Sequence, residues 1–194
     1  YSSSIDRGRE QLLTGMVNSL GLIEKNRYRS LRDSPVDGGV YGYTGGAVFP
    51  YIIIREPIMV LARSEKHADG EMTGLEYHTY ENAIFHRQGL GFRGFGKITS
   101  YDSHGNASAR TFDPYNHGVL TKEESPECEI SNSYSVSVDG DGIMKILLTA
   151  KTEKNLLTGY SSEYTYEYDG YGFQTSETVT HSDGISVRTD TEYL

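Results

Sequence analysis

The chain has 194 residues and a formal net charge of −9. That balance excludes the basic face a nucleic-acid surface needs, and the length allows one domain, or at most two, with a real core. Sixteen tyrosines, 22 glycines and a hydrophobic share of only 36% suit sheets that are wet on one face and turned at glycines.

No run approaches the roughly 18 apolar residues of a membrane helix, so membrane insertion is not expected. The single Cys128 excludes an internal disulfide, and between Glu127 and Glu129 it is a poor nucleophile. There is no secretory signal, and a start at Tyr1 without Met reads as a fragment of a much larger chain.

In chain order, 2–13 reads as a weak first strand; a short helix over 6–13 is the alternative, without a clear apolar stripe. A hairpin follows over 14–28, cornered at Asn18-Ser19-Leu20-Gly21. From 30 to 50 the chain is loop-like, broken by Pro35, Asp37-Gly38-Gly39 and Gly45-Gly46, with Tyr41 and Tyr43 as candidate anchors. The most apolar run, 51–63, contains Pro57, which forbids a central paired position and splits the run into two short strands or a bent edge. Ala68-Asp69-Gly70 turns the chain, and 75–80 returns with Leu75, Tyr77 and Thr79 on one face.

The stretch 87–112 organises the rest. Gly89-Leu90-Gly91-Phe92-Arg93-Gly94 matches G-x-G-x-x-G, but a dinucleotide site needs a helix directly after it. The residues that follow alternate like a strand, so the glycines are expected to seat Phe92 and Phe95 against backbone or to open a bulge. The corner Asp102-Ser103-His104-Gly105 then reverses the chain.

After a loop at 113–118, the segment 130–138 alternates. Ile130, Tyr134, Val136 and Val138 fall on one face, and serines fall on the other. Asp139-Gly140-Asp141-Gly142 turns it into 143–149, apolar on both faces and so expected to pack centrally. A charged connection is expected over 151–158, then a strand with Tyr164, Tyr166 and Tyr168 on one face. Asp169-Gly170-Tyr171-Gly172 leads to 173–180, and Ser182-Asp183-Gly184 to a last strand over 185–193. A sub-boundary near 113–128 is a candidate within an otherwise single hairpin-rich domain over 1–194.

The corners repeat one another. Tyr-Asp-x-x-Gly occurs at Asp102–Gly105 and Asp169–Gly172, and Val-Asp/Asn-x-x-Gly at Asp139–Gly142 and Asn18–Gly21. In each, the acid or amide closes the turn and the glycine takes a left-handed conformation. The fold expected is all-β: successive antiparallel hairpins in a curved sheet, with little or no helix.

Chemistry-bearing residues do not gather. The histidines (His67, His78, His86, His104, His117, His181) have no metal-ligand spacing, although His78 and His86 could approach each other. Asp139-Gly140-Asp141-Gly142 has the start of a calcium loop without its later ligands. No serine stands in G-x-S-x-G. Neither catalytic residue, metal nor cofactor is expected. The tyrosines Tyr164, Tyr166 and Tyr168 could form a carbohydrate platform, though cross-strand packing explains the same residues.

Tyr168-Asp169-Gly170-Tyr171-Gly172-Phe173 resembles a YD repeat of the Rhs family. The order Leu12 to Gly21, Val40-Tyr41, Phe49-Pro50-Tyr51, Tyr77-His78-Thr79-Tyr80-Glu81 and Gly89 to Phe95 is similar to the segment before the Rhs repeats of insecticidal toxin-complex B components and SpvB-like proteins. The resemblance implies a scaffold: β-hairpins of a secreted or cell-surface bacterial protein, forming a shell around a toxic C-terminal domain. The family's catalytic parts lie elsewhere, and no residue here matches them. Its partner would then be the rest of the parent chain, with self-association through exposed strand edges as a further expectation. The alternative is a surface module binding glycan or protein through its tyrosine-rich faces.

Overall fold

This computed structural model describes residues 12–33, 38–140 and 142–193. The described residues form fourteen strands, and their one helical piece is a 3-10 turn over Pro114–Asn116. The all-β, hairpin-built architecture is thus as expected. Most of the segment 2–13 lies outside the described residues; Leu12 and Leu13 are not in a strand. The chain divides into two compact units, Tyr1–Ala107 and Ser108–Leu194.

In the first unit the strands are β1 (Gly15–Val17), β2 (Ile23–Ser30), β3 (Tyr41–Gly42), β4 (Tyr51–Ile53), β5 (Met59–Ala68), β6 (Glu71–His86) and β7 (Gly91–Asp102). Their order is β1-β2-β5-β6-β7, with β3 and β4 added on β6. The length of β6 explains this arrangement. Its first half pairs with β5, while its second half receives β3 in parallel at Tyr41↔Tyr80 and β4 antiparallel at Ile53↔Ile84. Pro57 falls between β4 and β5, so the run 51–63 is two strands.

The loop expected over 30–50 therefore folds back on β6, and it does so around a core. Leu31, Tyr41, Ile54, Val60, Tyr80 and Ala83 are buried together. Tyr41 is the anchor: its hydroxyl oxygen accepts a hydrogen bond from the buried Ala83 N–H at 3.0 Å. Tyr43 is more exposed and lies against the guanidinium of Arg55.

The glycine-rich stretch forms a bulge. Ile84 pairs with Gly94 and Phe85 with Phe92, so Arg93 is the extra residue. Gly91 and Gly94 have φ of 69° and 102°, a region that favours glycine. A Cβ on Gly96 would come within 3.1 Å of the Asn82 Cβ, so glycine eases the close approach of β6 and β7 there.

The second unit comprises β8 (Ala107–Asp113), β9 (Val119–Glu124), β10 (Cys128–Val138), β11 (Met144–Asn155), β12 (Ser161–Tyr168), β13 (Gln174–His181) and β14 (Ser186–Asp190). From β8 to β14 each strand pairs antiparallel with the next. Register puts Tyr134, Val136 and Val138 opposite Leu148, Ile146 and Met144 on one face, with Ser135 and Ser137 on the other. None of the described aliphatic or aromatic side chains of this unit is fully buried; its most enclosed side chains are Pro114, Ser162 and Ser176.

Two expectations are corrected here. The connection expected over 151–158 is strand as far as Asn155, because Lys151, Thr152, Glu153 and Lys154 pair with β12. The turn is Asn155–Gly159, where the Asn155 side chain accepts from the N–H groups of Leu157 and Thr158. Its spacing is one residue longer than that of the other corners. The segment 143–149, expected to pack centrally, is paired with β10 from Met144 onward, but Ile143 and Met144 are exposed and the rest is only half-buried.

The four expected corners share one geometry. The glycine N–H of Gly21, Gly105, Gly142 and Gly172 donates to the carbonyl of Asn18, Asp102, Asp139 and Asp169, at 3.0 to 3.1 Å. All four glycines have φ between 78° and 95°. The Asn or Asp side chain then accepts from backbone N–H groups across the turn: Asp169 Oδ1 takes three, from Tyr171, Gly172 and Phe173. This is the three-residue hairpin loop that ends on a left-handed glycine.

Candidate functional site

The strand ladder is interrupted in a way that recurs. On β11, Thr149 is an extra residue: Ser133 pairs with Ala150 and Tyr134 with Leu148. On β9 the extra residue is Thr121, with Phe112 facing Leu120. On β5 it is Ala62, with Tyr28 facing Leu61. In each case an aromatic side chain faces a leucine, and the bulged residue follows that leucine. Such a bulge bends its strand and steepens the local twist.

The next strand answers each bulge with a tyrosine. The Tyr80 hydroxyl donates to the Leu61 carbonyl at 2.8 Å, Tyr134 to Leu120 at 2.9 Å, and Tyr168 to Leu148 at 2.7 Å. Each tyrosine lies three residues beyond the last residue paired with the bulged strand: Tyr77, Ser131 and Thr165. Where main-chain pairing stops, a phenol bridges the gap. The bulged threonines add a second tie, since Thr121 Oγ1 donates to the Thr111 carbonyl and Thr149 Oγ1 to the Ser133 carbonyl, both at 3.1 Å.

This arrangement sets the role of the tyrosine face expected on β12. Tyr164, Tyr166 and Tyr168 do share a face, and all three are half-buried. Tyr168 holds Leu148, and the Tyr164 hydroxyl donates to Glu153 Oε2 at 3.0 Å. Glu153 is ion-paired with Lys151, whose ammonium also lies over the Tyr164 ring. The Lys151 hydrogen bond, opposed by burial, holds the Glu153 carboxyl below its ordinary range. Two of the three hydroxyls are thus committed within the sheet.

The histidines are dispersed. His78 and His86 stand eight positions apart on β6, a separation of about 26 Å along a strand, and do not share a ligand site. His78 Nδ1 meets Ser100 Oγ at 2.9 Å, and His181 Nδ1 meets Ser162 Oγ at 2.8 Å, each pair directly opposite across two strands. A seryl nucleophile needs an acid to orient the base. The far nitrogen of His78 is buried without a hydrogen-bond partner among the described residues, and the His181 ring stacks on Tyr160. His86 Nδ1 accepts from the N–H of Gln88 at 3.2 Å. Among the described residues no group of three His, Cys, Asp or Glu could hold a metal ion.

Charge concentrates at two places in the first unit. On β5, Glu65 is nearly buried among Arg63 at 2.9 Å, His67 at 3.2 Å and Arg27 at 3.6 Å. The His67 hydrogen bond, with those guanidiniums, lowers the Glu65 pKa. The second is a cleft of about 430 Å³ lined among the described residues by Leu31, Arg32, Asp33, Tyr41, Tyr43 and Arg55. Sequence reasoning missed this cleft because its residues are scattered over the loop at 30–50 and the approach to β5.

The fold defines a class: an all-β sheet grown hairpin by hairpin, with bulges closed by tyrosines. Two crystal structures are similar to it in fold. One, of TcdB2-TccC3-Cdc42, matches with a TM-score of 0.66 and 14% identity over 88% of this chain. The other, of TcdB2-TccC3 without its hypervariable C-terminal region, matches with a TM-score of 0.63 and 12% identity over 95% of this chain. In both, the match covers 12% of the toxin-complex chain. No protein-family profile and no curated protein matches the sequence.

Proposed function

We propose that this chain is a non-catalytic scaffold segment of a large secreted or cell-surface bacterial protein of the Rhs/YD-repeat kind, placed like the region before the Rhs repeats in toxin-complex B and SpvB-like proteins. Its hairpins contribute to a shell around a C-terminal effector. The observation that carries this reading is the repeated joint of bulge, leucine carbonyl and tyrosine hydroxyl. It recurs at β5–β6, β9–β10 and β11–β12 and has a mechanical role that requires no ligand. The likeness to a stretch of the TcdB2-TccC3 chain supports the same reading at the level of fold.

The open edge adds to it. All five residues of β14 are exposed, and among the described residues β13 is its only partner, so its outer N–H and C=O groups are available to a further strand. Arg188, paired with Glu167 and Asp190, places charge there. Charge is the usual protection of an edge against promiscuous pairing.

Hydrogen exchange tests the proposal. The β14 amides facing away from β13 exchange fast in the isolated chain and slowly in the product of the complete reading frame. Equally fast exchange in both contradicts the scaffold reading. A glycan array in which specific binding disappears with Tyr164→Ala or Tyr166→Ala would instead favour the binding module.

A further inference from the structure

The chain is acidic, and four of its arginines meet carboxylates. Arg27 and Arg63 meet Glu65, Arg110 meets Glu123, and Arg188 meets Glu167 and Asp190. Arg32 and Arg55 are not among these pairs, and they share one cleft. Both line the cleft of about 430 Å³, and no carboxylate among the described residues pairs with either guanidinium. The acid that shares the cleft, Asp33, is turned to the backbone, where its Oδ2 accepts from the Ser30 N–H at 3.1 Å.

Arg55 is held for use. Its guanidinium carbon lies 3.9 Å from the centre of the Tyr43 ring, which fixes one flat face and leaves the N–H edge free to grip a planar or tetrahedral oxyanion with two parallel bonds. Tyr41 adds a donor. Its oxygen already accepts from the Ala83 N–H, so its own hydrogen remains available. The cleft lies within the roughly 300–1,000 Å³ range of small-molecule sites and is larger than a bare ion requires. The Tyr43 ring and Leu31 supply apolar wall.

We propose that this cleft binds a small organic anion, a carboxylate or phosphate head on a compact apolar body, with Arg55 gripping the head, Arg32 adding charge and Tyr41 donating a hydrogen bond. The site is independent of the scaffold reading and holds whether or not the chain sits in a shell.

Calorimetric titration of the 194-residue chain at low ionic strength, with benzoate, phenyl phosphate and benzyl alcohol in turn, tests it. At least one of the two anions binds saturably, and the neutral alcohol does not. The tighter of the two identifies the head group as carboxylate or phosphate. Arg55→Gln weakens binding about tenfold or more, Arg55→Lys, which keeps the charge without the fork, weakens it less, and Arg110→Gln leaves it unchanged. No binding of either anion, equal binding of the alcohol, or unchanged affinity in an R32Q/R55Q double variant overturns the assignment.

Discussion

The Tyr168 hydroxyl donates to the Leu148 carbonyl across 2.7 Å, at the point where Thr149 bulges from β11 and pairing with β12 has stopped at Ala150↔Thr165. Without the phenol, that carbonyl would face a gap between two diverging strands. Lys145 helps close the same gap by donating to the Gly170 carbonyl at 3.3 Å. A joint of this kind lets each hairpin diverge from its neighbour without losing it.

Tyr168→Phe therefore destabilises the second unit by about 0.5–1.5 kcal/mol, the usual loss when one partner of a hydrogen bond is removed. Tyr134→Phe costs less, because the Asn132 side chain also donates to the Leu120 carbonyl, at 2.9 Å. Tyr166→Phe, whose hydroxyl has no hydrogen-bond partner among the described residues, is close to neutral. Urea denaturation of the three variants gives the order directly, and equal losses at all three contradict it.

The corner glycines give a second expectation. Gly105 and Gly172 have φ of 82° and 95°, where a β-branched side chain is strained whatever the space around it. Gly105→Val and Gly172→Val each lower stability by about 1–2 kcal/mol. Gly170 has no positive φ and nothing near its absent Cβ, so Gly170→Ala changes the melting temperature little. Equal melting temperatures for all four proteins contradict the corner geometry.

Alkaline pH probes the first unit. Burial, reinforced by the nearby Glu76 carboxylate, pushes the Tyr80 pKa up to about 12 from an ordinary 10.0. A folded value above the unfolded one means that this stability is fully present below pH 10 and is lost as pH rises through about 12. The ionised phenol also loses its bond to Leu61. Tyr80→Phe is less stable at neutral pH, and between pH 10 and 12 it loses less stability than the native chain does. Parallel curves would show that Tyr80 carries none of this limb.

The corners were legible in the sequence because Asp or Asn followed three residues later by Gly is a local instruction. Pro57 was equally legible, since a missing N–H divides β4 from β5 wherever the chain lies. Register was not local, and the misreadings cluster there. The charges of Lys151, Glu153 and Lys154 read as a connection, yet Lys151 and Glu153 pair along β11 and under Tyr164, so their charge is met within the sheet. β9 went unrecognised because Val119–Glu124 is too mixed to alternate and is fixed by β8 and β10 on either side.

The tyrosines were visible as a face, but not as donors. Nothing in Tyr80, Tyr134 or Tyr168 taken singly reveals a leucine carbonyl on the preceding strand. The repeated Leu61-Ala62, Leu120-Thr121 and Leu148-Thr149 steps carry that signal, and it becomes readable only once the bulges are placed. The Arg32–Arg55 cleft stayed hidden for the same reason: its parts are 23 residues apart in sequence (55 − 32).

The central claim is that these hairpins form a wall continued by the rest of a longer chain. A cryo-electron microscopy structure of the product of the complete reading frame tests it most directly. The account predicts a further strand paired along the outer edge of β14, with hairpins carrying the sheet onward around enclosed C-terminal polypeptide. A map in which the β14 edge faces solvent, with no strand added and nothing enclosed, would contradict it.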